Sequence, residues 1–345
     1  MLVSAALGLL AATAGCSHPP PCTAGDRDCA RAAIRNHPAR RIEFWNRMLS
    51  RPLVQRIGPA PQVLLDYLVL DNTAQGVPDH PHAPRLSAEF LADLHDAFEQ
   101  LPPAVTDPLA RRLAGIYLVD GLGRSAYTED VLDESGEPVA AVIVLDAQML
   151  SQRKANAWAS WKENTPFTPE DGWALHAEIE RPEQDNERSA IQYILLHELG
   201  HAISVGRHLH PAGSRPPPKT TGDFAFFELS WKVLPQGEYE SLFSADFPQR
   251  RDVTYYFGAR LAASQMLPVY QALQRTNYPT LYAATSPGDD FAESFANYVH
   301  VVMLHRPYTI HIAHAGEPVH DFGACWNTAR CRAKRRLIEQ LLDAG

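Results

Sequence analysis

Apolar residues in the first third of the chain recur at intervals of three and four. Leu53, Val54 and Ile57 lead into Leu64, Leu65, Leu68 and Val69. That spacing predicts helices over most of residues 31–101. Ser87 stands where an N-cap would open the last of them, over residues 88–101, and Pro102-Pro103 ends it. Residues 71–85 interrupt the pattern: they are polar, carry Pro78, Pro81 and Pro84, and predict a loop. The period then changes. Ile116-Tyr117-Leu118-Val119 is an unbroken apolar run, stopped by Gly121-Leu122-Gly123. Residues 139–145 form a second such run after a turn at Ser135-Gly136, and residues 173–180 alternate apolar with polar. All three predict strands. Helical spacing returns over residues 191–205, 259–275, 289–304 and 329–342. Residues 224–257 are dense in aromatics and supply core. There is no internal repeat. The class predicted is α+β, mostly helical.

The two ends of the chain change the picture. Residues 1–14 are apolar or small, too short to span a bilayer and suited to a secretory signal. Ala12-Thr13-Ala14-Gly15-Cys16 follows and resembles the lipobox of bacterial lipoproteins. The resemblance implies removal of residues 1–15, a lipid on Cys16 that anchors the chain to a membrane, and, with Ser17 next, an outer-membrane destination. Residues 16–30 then read as a Cys- and Pro-rich tether, and residues 31–110 as an N-terminal helical region. The chain holds five cysteines. Setting Cys16 aside leaves Cys22, Cys29, Cys325 and Cys331, which allow three connectivities; the local pairs Cys22–Cys29 and Cys325–Cys331 are the simplest. Disulfides fit an oxidising compartment. A formal charge of −9 argues against nucleic acid as a partner. The basic cluster Arg330, Arg332, Lys334, Arg335 and Arg336 is expected on the solvated face of a terminal helix.

The chemistry is carried by His197-Glu198-Leu199-Gly200-His201, an H-E-x-x-H segment within a predicted helix. Residues four apart share a helical face, so His197 and His201 can hold one metal ion between them. Glu198 projects beside them, placed to take a proton from water. Two histidines do not complete a catalytic zinc site, which normally has three protein ligands and an open position. Asp289-Asp290-Phe291-Ala292-Glu293 opens a predicted helix, and its first and last residues lie about 6 Å apart along one face. One of them can sit on the metal; the other can accept a hydrogen bond from a ligand histidine. Asp290 is expected to complement the helix dipole.

With these segments in place, the chain resembles the gluzincin metallopeptidases. The motif pattern is most similar to that of anthrax lethal factor and the secreted Pro-Pro endopeptidases. The resemblance implies a zincin-like catalytic domain over residues 111–345, with a small mixed sheet beside the motif helix and a C-terminal helical lobe. It implies one zinc ion, held by His197, His201 and Asp289, with Glu293 as support and Glu198 as general base. It also implies that Tyr282, seven residues before Asp289, steadies the transition state. The substrate would be a peptide or protein of the cell envelope. Asp stands at 289 where those families place Glu, and the interval from His201 is long for them. A strand beside the metal is expected at residues 139–145 or 173–179. Two other readings use the same residues. One is a lipid-anchored binding or assembly protein with a structural zinc site, closed by one of His208, His210, His305, His311, His314 or His320. The other is a zinc amidase acting on cell-wall peptides.

Overall fold

In the computed structural model, which describes residues 22–343 except 24, 212–222 and 257, the organising element is a four-stranded sheet. In chain order the main elements are helix α1 (Arg27–Arg35), α2 (Ile42–Leu49), strand β1 (Ile57–Pro59), α3 (Gln62–Gln75) and α4 (Ala88–Glu99). Strands β2 (Leu113–Val119), β3 (Ala126–Leu132) and β4 (Pro138–Asp146) follow, then α5 (Ala155–Asn164), β5 (Trp173–Glu178) and α6 (Glu187–Ser204). The last group is α7 (Met266–Leu273), α8 (Pro287–Tyr298), β6 (Thr309–His314), β7 (Glu317–Gly323) and α9 (Arg332–Asp343). Helix makes up 46% and strand 19%, in small sheets, and among the described residues there is no closed barrel, which supports a mixed class with helix ahead. The expected signal, residues 1–15, and Cys16 lie outside the described residues.

Strands β2 and β4 are the two apolar runs, and they occupy the middle of the sheet, whose order is β1-β2-β4-β3. They pair in parallel and are buried on both faces, as continuous apolar strands require. One face, through Tyr117, Val119, Val142 and Val144, packs on Trp45 of α2 and on Leu64, Tyr67 and Leu68 of α3. The opposite face, through Ile116, Leu118, Ile143 and Leu145, joins the larger core with α4 and α6. The sheet is thus the middle of three layers, with α6 on its inner side. Strand β3 pairs antiparallel with β4 and ends the sheet.

Four expectations change. Leu53–Arg56 is a single 3-10 turn and Ile57–Pro59 a parallel edge strand, because Gly58, Pro59 and Pro61 deny the helix a continuation. Residues 71–75 finish α3 instead of starting a loop; Gly76, at φ 77°, ends it in the left-handed region. Only Met266–Leu273 of residues 259–275 is α-helical, since Leu261 and Ala262 pair with Phe167 and Thr168. The C-terminal lobe is not helical throughout: between α8 and α9 the hairpin β6–β7 joins β5 in a three-stranded sheet, with Ile310, Ile312 and Phe322 turned into the core.

Both disulfides are the local pairs, Cys22–Cys29 and Cys325–Cys331, with Cα separations of 5.7 and 5.6 Å. They fit an extracellular or periplasmic setting. Among the described residues no helix is long and apolar enough to cross a membrane.

Lys334, expected on a solvated face, and Asp290, expected to complement the helix dipole, are buried together. Asp290 and Lys334 both have 0% exposure and form an ion pair; Trp231 Nε1 also donates to Asp290, at 3.0 Å. This pair ties α9 to α8, so the basic cluster is not wholly a solvated face. Burial pulls the Lys334 ammonium down to about 8 despite Asp290. Lys334→Met strands a buried carboxylate and should destabilise the fold by roughly 3–5 kcal/mol, whereas Lys334→Met with Asp290→Asn should recover most of that. Urea denaturation of the three proteins measures the difference.

Helix α8 runs into a π-turn, Val299–Met303, that carries His300 inside. Its Nε2 donates to the carbonyl of Ile179 at 2.8 Å and faces that of Pro307 at 3.2 Å. Burial pulls the ring down to about 4 from 6.5. The unfolded chain therefore binds this proton at a higher pH than the folded one. Stability should be unaffected by His300 above pH 6.5, then fall as pH drops, reaching a loss on the order of 3 kcal/mol once pH is below about 4. Thermal unfolding between pH 7 and pH 4 should show a shallower decline for His300→Gln.

Candidate metal centre

The motif helix α6 opens with Asn186, whose side chain accepts from the Ser189 amide at 3.0 Å. It is apolar on nearly all sides, and most of its residues are buried, as a core helix must be. It lies against α8, and one residue sets how close. A Cβ added at Gly200 would come within 2.8 Å of the Ala292 Cα and 3.0 Å of its carbonyl oxygen. Glycine at 200 therefore lets the two backbones touch. That contact brings His197 and His201 alongside Asp289 and Glu293.

Three ligand atoms converge there. His197 Nε2 and His201 Nε2 are 3.2 Å apart, and Asp289 Oδ1 is 3.8 Å from each. The three residues form a group able to hold a metal ion. Two nitrogens 3.2 Å apart, each about 2.1 Å from one ion, subtend roughly 100° there, close to the tetrahedral angle of zinc sites. Asp289 is aimed by its own helix start: Oδ2 accepts from Ser286 Oγ at 2.6 Å and Thr285 Oγ1 at 3.2 Å, leaving Oδ1 to face the histidines.

Glu293 stands behind this group. Its Oε1 lies 3.1 Å from His197 Nδ1 and accepts from Lys162 Nζ at 2.6 Å; its Oε2 accepts from Thr280 Oγ1 at 2.8 Å. A ring that gives Nδ1–H to a carboxylate presents a bare Nε2 to a metal. Of the two acids, the structure places Asp289 with the Nε2 atoms and Glu293 with Nδ1.

Glu198 is 6% exposed, and Thr128 Oγ1 donates to its Oε2 at 2.5 Å. Thr128 belongs to β3, so the strand beside the motif is β3, not residues 139–145, which are interior β4, nor 173–179, which join the other sheet. Ala126–Leu132 lacks apolar alternation because residues 126–130 line an open cleft and Glu129 is buried against Arg40, Tyr67 and Tyr127, so the periodicity of the sequence passes over it. The cleft encloses about 1570 Å³ between β3, the end of α3 and the metal-ligand group. Tyr282 reaches the same place, with its ring 5.5 Å from that of His197.

No protein family, no curated protein and no solved structure matches this chain.

Electrostatics divide the labour. Burial would raise the Glu293 carboxyl, but the Lys162 ammonium and the His197 ring outweigh it and hold the group ionised. Burial pushes the Glu198 carboxyl up, with His197 and Thr128 opposing. Burial, reinforced by His197, pulls His201 well below its ordinary value and keeps it neutral. Burial and then Asp289 hold the Tyr282 phenol protonated, so it can donate.

The other histidines stay apart. Both ring nitrogens of His210 are engaged, at 2.9 Å with the Pro211 carbonyl and 3.0 Å with Ser204 Oγ. His311 sits between Glu178 and Asp321 on the second sheet, and His314 packs at a tilt against Trp173. His208 lines the cleft outside the converging group. Sequence reasoning missed Lys162, Thr128, Thr280 and Ser286. Only Ser286 left a signal, as the N-cap of α8 next to its Pro.

Proposed function

We propose that this chain is a zinc-dependent peptidase of the gluzincin kind, working in the bacterial cell envelope and anchored there through a lipid on Cys16. The observation that carries the reading is the convergence of two imidazole nitrogens and one carboxylate oxygen beside a buried, non-ligating glutamate in an open cleft. Two histidines and a carboxylate are the donor set of a catalytic zinc, and among the described residues no fourth side chain joins them. Zinc bound there supplies Lewis acidity towards water and a scissile carbonyl.

The remaining work falls to the chain. The edge of β3 not paired with β4 is bridged by Arg41 at Leu132, and its cleft end, about Ala126–Thr128, offers backbone groups to an extended peptide and lays it across the cleft. Glu198 takes the proton of the attacking water on Oε1, the oxygen not held by Thr128, and delivers it to the leaving amine. Tyr282 donates a hydrogen bond to the oxyanion that develops on the carbonyl. Glu293 keeps His197 in the tautomer that leaves Nε2 free. The two disulfides support an oxidising compartment for this activity.

Elemental analysis and a peptide-library assay test the proposal together. One zinc per chain is expected, with cleavage that a chelator abolishes and added zinc restores. A protein that holds zinc yet cleaves no peptide would favour a structural site instead.

A further inference from the structure

Lys162 belongs to α5, an element that supplies no ligand, and it is 5% exposed. Its ammonium meets two parts of the site at once. It donates to Glu293 Oε1 at 2.6 Å, the same oxygen that lies 3.1 Å from His197 Nδ1. It also lies 4.4 Å from the centre of the Tyr282 ring, with the Trp158 ring at 5.6 Å. A buried ion pair is a poor device for stability alone, since apolar residues of the same volume do as well. The position of this one is what gives it a task.

Resting on the metal site proposed above, we propose that Lys162 is a positioning residue, which aims Glu293 at His197 and braces Tyr282 from behind. Glu293 has two oxygens and three donors to meet. Thr280 takes Oε2, and Lys162 fixes the direction of Oε1. With the carboxylate pinned at both ends, Oε1 is held 3.1 Å from His197 Nδ1, where it favours a proton on that nitrogen and a bare Nε2 turned to the metal. The cation against the face of Tyr282 fixes the plane of that ring by cation–π attraction. One side chain therefore sets the ligand tautomer and the phenol together. A lysine that merely filled the core would set neither.

Zinc affinity by chelator competition reads the first role without reference to hydrolysis. Lys162→Met should weaken zinc binding by roughly 10–100-fold, as loss of a group that orients a ligand does. Lys162→Arg, which keeps the cation, should restore most of it. Lys162→Met binding zinc as tightly as the parent would overturn the inference. If Lys162→Met does not fold, the parent protein decides. Long-range ¹⁵N–¹H spectra of the histidine-labelled, metal-free chain, recorded at a pH where the His197 ring is neutral, should show its one proton on Nδ1, and a neutral ring protonated on Nε2 overturns the inference. A parent that binds no zinc defeats the proposed peptidase reading, while the tautomer still decides the role of Lys162.

Discussion

Glu198→Gln should leave zinc bound and remove hydrolysis. Glu198 is not one of the converging ligand groups, so replacing its carboxylate by an amide of the same shape costs the site no donor. The amide oxygen can still accept from Thr128, which preserves the link between α6 and β3. What the amide cannot do is accept a proton from water. Removing a general base costs a factor of about 10²–10⁴, and the loss should appear in kcat, with KM for a peptide substrate little changed. Zinc content by elemental analysis should equal that of the parent. A Glu198→Gln protein with full activity would remove Glu198 from the mechanism, and a variant devoid of zinc would make it a ligand.

Asp289→Ala and Glu293→Ala should separate in metal affinity. Glu293→Ala removes the acceptor for His197 Nδ1 and should weaken zinc by roughly 10–100-fold. Asp289→Ala removes one of three converging donors, and the loss should exceed that range. The stability effects should run the other way. Glu293→Ala leaves the Lys162 ammonium buried without its partner, at a cost of roughly 3–5 kcal/mol, whereas Asp289 is half-buried and bonded only to hydroxyls. Chelator competition and urea denaturation on both variants give the two orders. A greater loss of zinc from Glu293→Ala would exchange the roles of the two acids.

The legible and illegible parts of this site differ in how far apart their residues stand. His197, Glu198 and His201 declare themselves because one helical turn fixes their relation. The same holds for Asp289 and Glu293, and the structure brings the two segments together. Strands β2 and β4 were legible because burial on both faces leaves an unbroken apolar run. Strand β3 was not, because the cleft beside it admits polar residues on either face. The partnerships of Lys162 with Glu293 and of Lys334 with Asp290 span 131 and 44 residues. Nothing local marks a lysine whose partner lies on another helix, so Lys334 read as solvated and Asp290 as a helix-dipole charge. The β6–β7 hairpin was hidden in another way: its apolar positions are few, and histidines and acids fill the rest.

The backbone contact between Gly200 and Ala292 has a mechanical meaning. Each of these residues lies between the functional side chains of its own helix, Glu198 and His201 on one side, Asp289 and Glu293 on the other. Helices that touch without intervening side chains are spaced by hard atomic radii, which do not adjust when neighbouring residues are exchanged for larger or smaller ones. Such a contact works as a fulcrum. Repacking elsewhere in the core, around Leu195 or Phe295 for example, would swing the far ends of the helices and leave the distance at the pivot almost as it was. The spacing of the ligand groups is thereby tied to the place where the two backbones meet, Gly200 against Ala292.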